Sequence, residues 1–365
     1  MIDIRKDKQI NKFCWYGLLK NLKFFEPYLI LYLKFMGLSL FQIGLLYTVR
    51  EVVIYLFEVP SGVFADNYGK KTELMLSFVF YIISFVFFFV GEHFEMFIVA
   101  MLFFGLGEAF RSGTHKAMIM AYLDKKKIKE SKAKVYGRTR SYSLIGSTLS
   151  SLISIVFVLK FSSMSWLFIV CILPYIIDFF LIMSYPDFLN EKSKSTFTLK
   201  DLFHASVDNI KYTFTNKDIV KTTMDSSLYS GLFKTIKDYI QPVLSQVILV
   251  SGIITVYTLT SDEQIKVTLG IVYSLIYALS AVASRNSHRL LNKIELNSGI
   301  FILSLLFAFL SISVGISVNV ASVSLAFISF VLINVITNIR RPLLIQKYSE
   351  IVKSDSRATV LSIDS

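Results

Sequence analysis

Charge is scarce in this sequence. Only 18% of its 365 residues are Asp, Glu, Lys or Arg, against about 25% in an ordinary soluble domain, so a string of soluble domains is excluded. Cysteine is scarcer still. Cys14 and Cys171 are the only two, and both lie inside apolar runs, where a thiol behaves as a small buried hydrophobe; a disulfide framework has no support. The signatures of catalysis are missing as well. There is no His-Glu-x-x-His, no nucleophile elbow, no phosphate loop and no Cys/His cluster at metal-ligand spacing. An enzyme embedded in a membrane is therefore the weaker alternative, and no cofactor or metal is expected. No low-complexity tract interrupts the chain. The basic N-terminus (Arg5, Lys6, Lys8, Lys12) leads into a full-length apolar run with no small-residue cleavage site, so that run is expected to stay as a first spanning helix.

Apolar residues are what the sequence has in excess: 54% of the total, with a mean hydropathy of +0.60. They fall in blocks of about 20 residues, the length that crosses roughly 30 Å of hydrocarbon at 1.5 Å per residue. Ten blocks qualify: 13–36, 41–63, 73–91, 95–122, 138–160, 164–184, 222–249, 264–284, 297–317 and 320–341. Within lipid every backbone polar group must be satisfied internally, which leaves helices or closed barrels. The blocks lack the period-two alternation of barrel strands. The expected class is an all-α polytopic membrane protein.

The basic residues orient it. Segments 1–12, 66–72, 124–140, 185–221, 285–293 and 340–357 hold 28 of the 38 Lys and Arg, whereas the opposite turns hold Lys160 and Lys266. That bias places the N-terminus in the cytoplasm of a multi-pass inner (plasma) membrane protein. The net charge of +12 is thus a topology signal with membrane lipid as its partner. A nucleic-acid partner is not expected, since the 125–140 cluster carries no interleaved stacking aromatics. The longest loop separates a six-helix domain (1–184) from a four-helix one (222–365). Within this 185–221 segment, Leu199, Leu202, Phe203, Val207, Ile210, Tyr212 and Phe214 are spaced as in a surface helix.

One motif carries a family resemblance. Glu58-Val-Pro-Ser-Gly62-Val-Phe-Ala-Asp66-Asn-Tyr-Gly69-Lys70-Lys71 resembles the signature loop between helices 2 and 3 of the major facilitator superfamily, with Asn67 in place of a basic residue. Each part has a physical reason: Gly62 for close helix approach, Asp66 for a facing helix N-terminus, Gly69 for a tight turn, and Lys70 and Lys71 for an anionic leaflet. Gly105-Leu-Gly-Glu108-Ala-Phe-Arg111-Ser-Gly113, Lys237-Asp-Tyr-Ile-Gln-Pro242 and Arg357-Ala-Thr-Val-Leu-Ser362 resemble one bacterial branch of the same superfamily. The resemblance implies two six-helix bundles and secondary active transport of a small organic solute by alternating access, with proton coupling and efflux as further expectations. Two departures stand out. Helix 5 (Tyr142-Ser-Leu-Ile-Gly146) lacks the Gly-Pro and paired glycines of drug–proton antiporters. Ten of twelve helices are counted before Ser365, so a truncated sequence is expected, with a non-transporting remnant or scaffold as the alternative.

Ionisable residues at membrane depth are costly and usually face a cavity or a partner. Helix 1 places Lys20, Lys23 and Glu26, the last two at i,i+3. Helix 2 places Arg50, Glu51 and Glu58, with the two carboxylates seven apart on one face. Helix 4 puts Glu108, Arg111 and His115 on one stripe, and helix 7 puts Lys234 and Asp238 at i,i+4 before an expected kink at Pro242. The resemblance sets helices 1, 4, 7 and 10 around a central cavity, where Asn334 and Asn338 would complete the ring. The competing reading of each pair is an internal salt bridge that only holds helices together. Asp178 reads as peripheral, and Tyr229 and Tyr239 as candidate stacking rings. The topology has a direct test: cysteines placed at Lys127 and Lys194 are expected to be shielded from impermeant thiol reagents in intact cells while one at Ser163 reacts, and labelling at 127 from outside overturns the layout.

Overall fold

The computed structural model describes residues 6–112, 114–126, 132–190, 215–251, 260–291, 295–320 and 322–351. These are helical almost throughout. In chain order they form α1 (Lys8–Lys20), a 3-10 turn (Glu26–Tyr28), α2 (Leu29–Phe35), α3 (Leu40–Tyr68), α4 (Lys70–Val90), α5 (Phe94–Arg111), α6 (Thr114–Lys125), α7 (Lys132–Lys160) and α8 (Trp166–Met183). A second 3-10 turn (Asp187–Asn190) follows, and then α9 (Lys217–Asp238), α10 (Ile240–Ser251), α11 (Ser261–Leu291), α12 (Leu296–Asn319) and α13 (Val323–Ile351). Backbone contacts divide the chain into two compact units, Met1–Leu202 and Phe203–Ser365.

The ends of these helices follow from local chemistry. Asp7 caps α1 by accepting from the Gln9 and Ile10 amides at 2.9 and 3.0 Å. Ser39 opens α3 with a capping box: Gln42 N–H donates to Ser39 Oγ at 3.2 Å and Ser39 N–H to Gln42 Oε1 at 2.9 Å, so two orphan amides are satisfied reciprocally. Asn216 does the same service for α9 through the Asp218 and Ile219 amides.

Among the described residues seven helices are long and apolar enough to cross a membrane: Leu40–Glu58, Lys70–Val90, Arg138–Lys160, Trp166–Met183, Asp262–Ala283, Leu296–Asn319 and Ser324–Arg341. The three expected blocks outside this set are the three that the structure divides. Block 13–36 breaks between Lys20 and Leu29, block 95–122 at Ser112, and block 222–249 at Tyr239, three residues before the expected kink at Pro242. Hydropathy could not show this, because a run stays apolar across a break. Several expected loops are shorter than read. The 66–72 turn shrinks to Gly69, whose φ of +98° only glycine adopts without strain. Helix α13 runs ten residues past 341. The candidate surface helix around 199–214 and the Arg357–Ser362 motif lie outside the described residues.

In the first unit α5 packs between α3 and α4, α1 crosses α7, and α8 lies on α4 and α1. Lipid is as apolar as a leucine side chain, so helices associate through close packing rather than through the hydrophobic effect. Two devices do this. One is an aromatic core in which Phe13, Tyr28, Phe78, Tyr81, Phe85, Phe88, Phe97, Phe168 and Tyr175 are all buried; Phe168 stacks on Phe88 at 4.7 Å and on Phe25 at 4.9 Å. The other is glycine at the crossings. A Cβ on Gly105 would stand 2.9 Å from the Arg50 carbonyl and from Val53 Cβ on α3. One on Gly146 of α7 would collide with the Leu18 carbonyl of α1. In the second unit α13 is the central element, touched by α9, α10, α11 and α12.

Gly62 makes no close helix approach within this unit: it is exposed and an added Cβ meets nothing within 4 Å. Overpacking a helix crossing costs about 1–3 kcal/mol, whereas Ala in place of a helical Gly gains about 0.5–1 kcal/mol. Gly105→Val and Gly146→Val are therefore expected to lower the thermal midpoint of the detergent-solubilised protein by several degrees, while Gly315→Ala, which also faces open space, leaves it equal or higher.

Candidate functional site

The first unit gathers a charged cluster at the places where its helices break. Glu108, in the last turn of α5, lies between two cations. Lys23 Nζ, in the non-helical stretch after α1, donates to Glu108 Oε1 at 3.1 Å, and the Arg111 guanidinium bonds Glu108 Oε2 from one turn on. All three side chains are at least three-quarters buried, with 15%, 20% and 21% exposure for Lys23, Glu108 and Arg111. Arg111 Nε donates to the Tyr81 hydroxyl of α4 at 3.0 Å, and the Lys23 ammonium sits 5.7 Å over the Tyr81 ring and 5.1 Å over Phe104. Each cation thus meets both a carboxylate and an aromatic side chain. Gly107 makes room for this, as a Cβ there would press on the Tyr81 ring at 2.9 Å.

Several expected partners change. Lys23 was paired with Glu26 by helical spacing, but residues 21–25 are not helical, and the lysine bonds Glu108 of α5. The Glu108–Arg111 pair stands as read. His115 leaves their stripe, because α5 ends at Arg111 and α6 begins at Thr114; it stacks on Tyr16 of α1 at 3.7 Å and shares a hydrogen bond of 3.3 Å with the Tyr185 hydroxyl. Burial pushes the Tyr185 phenol well above its ordinary range, so it stays neutral. Glu51 pairs with its neighbour Arg50 at 2.7 Å. Glu58 accepts from Ser112 Oγ at 3.4 Å, which sets it at the α5–α6 break.

The signature segment is fastened to the end of α8. Asn190 Oδ1 accepts from the Lys71 amide at 2.9 Å and packs against Gly69. Lys71 Nζ donates to the Tyr185 carbonyl at 3.1 Å and lies 3.6 Å from Asp187. Lys12 Nζ donates to the Ser184 carbonyl at 2.7 Å. Two lysines therefore satisfy carbonyls left open where a helix ends, and Lys71, 13% exposed, points at protein rather than at a lipid leaflet. Lys70 is half-buried. The side chain of Asp66 lies outside the described residues.

In the second unit the expected residues are described only in part. Lys234 is exposed and the side chain of Asp238 lies outside the described residues. Asn334 and Asn338 turn back on their own helix, donating to the Phe330 and Asn334 carbonyls at 2.9 Å each. The charge centre there is Arg340, which was counted with a loop but is 2% exposed. Its guanidinium donates to Asp225 Oδ2 at 2.7 Å and to Ser304 Oγ at 3.2 Å, and lies 3.9 Å over the Tyr229 ring. Tyr229 OH is 2.9 Å from Thr337 Oγ1. So Tyr229 does stack, on an arginine of its own unit.

A chain of long apolar helices with ion pairs among them is a polytopic membrane protein. The sequence model of the Major Facilitator Superfamily matches residues 21–364, and the chain belongs to that family. A 64-residue stretch is 48% identical to the uncharacterised MFS-type transporter YxaM of Bacillus subtilis (strain 168), covering 18% of this chain and 16% of the relative's length. Among solved structures the chain is similar to a mutant form of the nucleoside transporter NupG, with a TM-score of 0.76 and 12% identity over 98% of this chain and 86% of that one. It is also similar to a POT family transporter in complex with 5-aminolevulinic acid, at TM-score 0.74 and 12% identity over 98% and 87%, and to a D-xylose-proton symporter, at 0.68 and 12% over 98% and 85%.

Removing one partner of a buried ion pair leaves an uncompensated charge and costs about 3–5 kcal/mol. Asp225→Asn is expected to destabilise the protein because it leaves the 2%-exposed Arg340 without its carboxylate, though by less than that range since Asp225 itself is 44% exposed and partly screened by solvent. The double variant Asp225→Asn/Arg340→Met recovers most of the loss, as thermal unfolding in detergent would read; a double variant no more stable than the single one contradicts the pairing.

Proposed function

We propose that this chain is a secondary active transporter that moves a small organic solute by alternating access, coupled to protons, with efflux the favoured direction. It works in the inner (plasma) membrane with its N-terminus in the cytoplasm. The domains are 1–184 and 222–365, joined by 185–221. The observation that carries the reading is the Lys23–Glu108–Arg111 cluster. A carboxylate and two cations buried in apolar helices are expensive to insert and mark a transport path by default.

The helix breaks give the charges a means of acting. The three divided segments are also those with Lys20 and Lys23, Glu108 and Arg111, and Lys234 and Asp238. A broken helix absorbs a dihedral change over a few residues, so the segments can bend where their charges sit. Glu108 holds Lys23 and Arg111 together in the state seen here. A solute or proton that competes for the carboxylate releases a cation and biases the bend. Glu26 and Glu51 in the first unit, and Asn334 and Asn338 in the second, are further candidate path residues in this reading. Glu58, Gly62, Asp66, Gly69, Lys70 and Lys71 govern interconversion of states rather than binding, with Gly69 as the hinge held by Asn190. The nucleoside, 5-aminolevulinic acid and xylose named for the structural relatives support a small polar solute as the cargo class.

A thermal-shift panel that includes nucleosides, 5-aminolevulinic acid and D-xylose, followed by uptake of each hit into proteoliposomes, tests the proposal. Glu108→Gln is expected to lose stability and transport together. Lys23→Met/Glu108→Gln/Arg111→Gln, which leaves no member of the cluster unpaired, should regain stability but transport at least about tenfold more slowly, a loss of ~1.4 kcal/mol or more. A triple variant with normal uptake would show that the charges only hold helices together.

A further inference from the structure

Asp178 is the one ionisable acid or base among the charged types in 164–184 and takes no part in the ion cluster. It was expected to be peripheral; instead it lies on α8 with 0% exposure, and among the described residues neither carboxylate oxygen has a hydrogen-bond partner. An ionised carboxylate in such a place lacks the donors that would stabilise it, whereas a neutral acid there costs far less. Of the charges on the helices packed against α8, Lys12 of α1 and Lys71 of α4 bond the carbonyls at its end, and Glu73 of α4 accepts from Thr114; further groups are these. From α1 come Lys20 and Tyr16, the latter 2% exposed with its hydroxyl also lacking a partner and His115 of α6 stacked on it. From α4 comes Tyr81, edge-on to Tyr175 at 5.3 Å. From α7 comes Arg138, whose guanidinium donates to Asn11 Oδ1 at 3.0 Å. Beyond the end of α8 stands Tyr185. Of these, Lys20 faces the carboxyl with both its charge and its backbone N–H, the latter outside normal hydrogen-bond geometry.

The position of Lys20 matters. It is the last residue of α1, and its carbonyl accepts from the Tyr175 hydroxyl of α8 at 3.0 Å. The carbonyl end of a helix dipole disfavours a nearby anion. The break that follows allows Lys20 to move relative to α8. Asp178, Lys20 and Tyr16 thus stand together at the end of α1, and two of them, Asp178 and Tyr16, are buried with unsatisfied polar atoms.

We propose that Asp178 is the proton-carrying group of this chain. It holds a proton in the conformation seen here. When bending at the α1 break admits water, the O–H bond breaks, the proton passes to water, the electron pair stays on the carboxylate, and the Lys20 ammonium neutralises it. The use of this proton in transport rests on the function proposed above; the protonation itself does not.

Infrared titration of the protein reconstituted in lipid vesicles tests the site with the proton as its own probe. The wild type is expected to show the C=O stretch of a protonated carboxyl that disappears as pH rises. Asp178→Asn should lack that component and Glu108→Gln should keep it. Lys20→Met should move its midpoint to higher pH, because the cation that favours the ionised form is gone. A full band in Asp178→Asn, or an unmoved midpoint in Lys20→Met, overturns the proposal. With a transported solute in hand, Asp178→Asn should lose accumulation driven by a pH gradient yet keep exchange of labelled for unlabelled solute. Accumulation equal to wild type overturns the coupling role. A titrating band in a wild type that transports nothing would support the proton site and sink the transport reading instead.

Discussion

A charge inside hydrocarbon must be answered by an opposite charge, and the carboxylate of Glu108 is where the first unit answers it. Two cations converge on that group, from the stretch after α1 and from the last turn of α5. Aromatic side chains serve them too: Arg111 bonds the Tyr81 hydroxyl, and Lys23 lies over the Tyr81 and Phe104 rings. The low dielectric that makes such a group costly when alone also makes it strong when paired. Much of the surrounding architecture serves the same end. Gly107 admits the Tyr81 ring, Gly105 brings α5 onto α3, and Tyr81 and Phe104 of the aromatic core pack on the cluster.

Breaks in the helices belong to this arrangement. A continuous helix 1 would hold Lys23 within one turn of Glu26 on its own surface. Ending α1 at Lys20 frees the next residues to reach α5. The carbonyls released at the break are not wasted: Asn21 Nδ2 donates to the Gly17 carbonyl at 2.6 Å, and Tyr175 takes that of Lys20. The same economy governs the end of α8, where Lys12 and Lys71 bond the Ser184 and Tyr185 carbonyls. The signature segment is thereby tied to α8 through Gly69 and Asn190, which gives its glycine and lysine a mechanical role that leaflet electrostatics alone would not.

The sequence made the class legible because length and hydropathy are properties of single segments. Seven of the ten blocks fall on helices long and apolar enough to cross a membrane, and the spacing of Gly62, Asp66, Gly69, Lys70 and Lys71 carries the family resemblance. Partner choice was not legible, because it depends on which helices meet. Spacing paired Lys23 with Glu26 and put His115 on the stripe of Glu108, and both readings assumed unbroken helices. Arg340 was assigned to a loop since its block ends there by hydropathy, yet α13 continues and buries it against Asp225. Asp178 carried a usable signal: it is a lone acid in an otherwise apolar block, and such residues are functional by default. Glu73, buried in the first turn of α4 with Thr114 Oγ1 donating to it at 2.7 Å, offered no signal apart from its place at a helix N-terminus.

The central claim is that stored ion gradients drive a solute through this chain. Accumulation of a solute by wild-type proteoliposomes under an imposed pH gradient tests it most directly. The account predicts saturable accumulation above the equilibrium level that collapses when a protonophore is added. Flux that only equalises the two sides, indifferent to the protonophore, would contradict it.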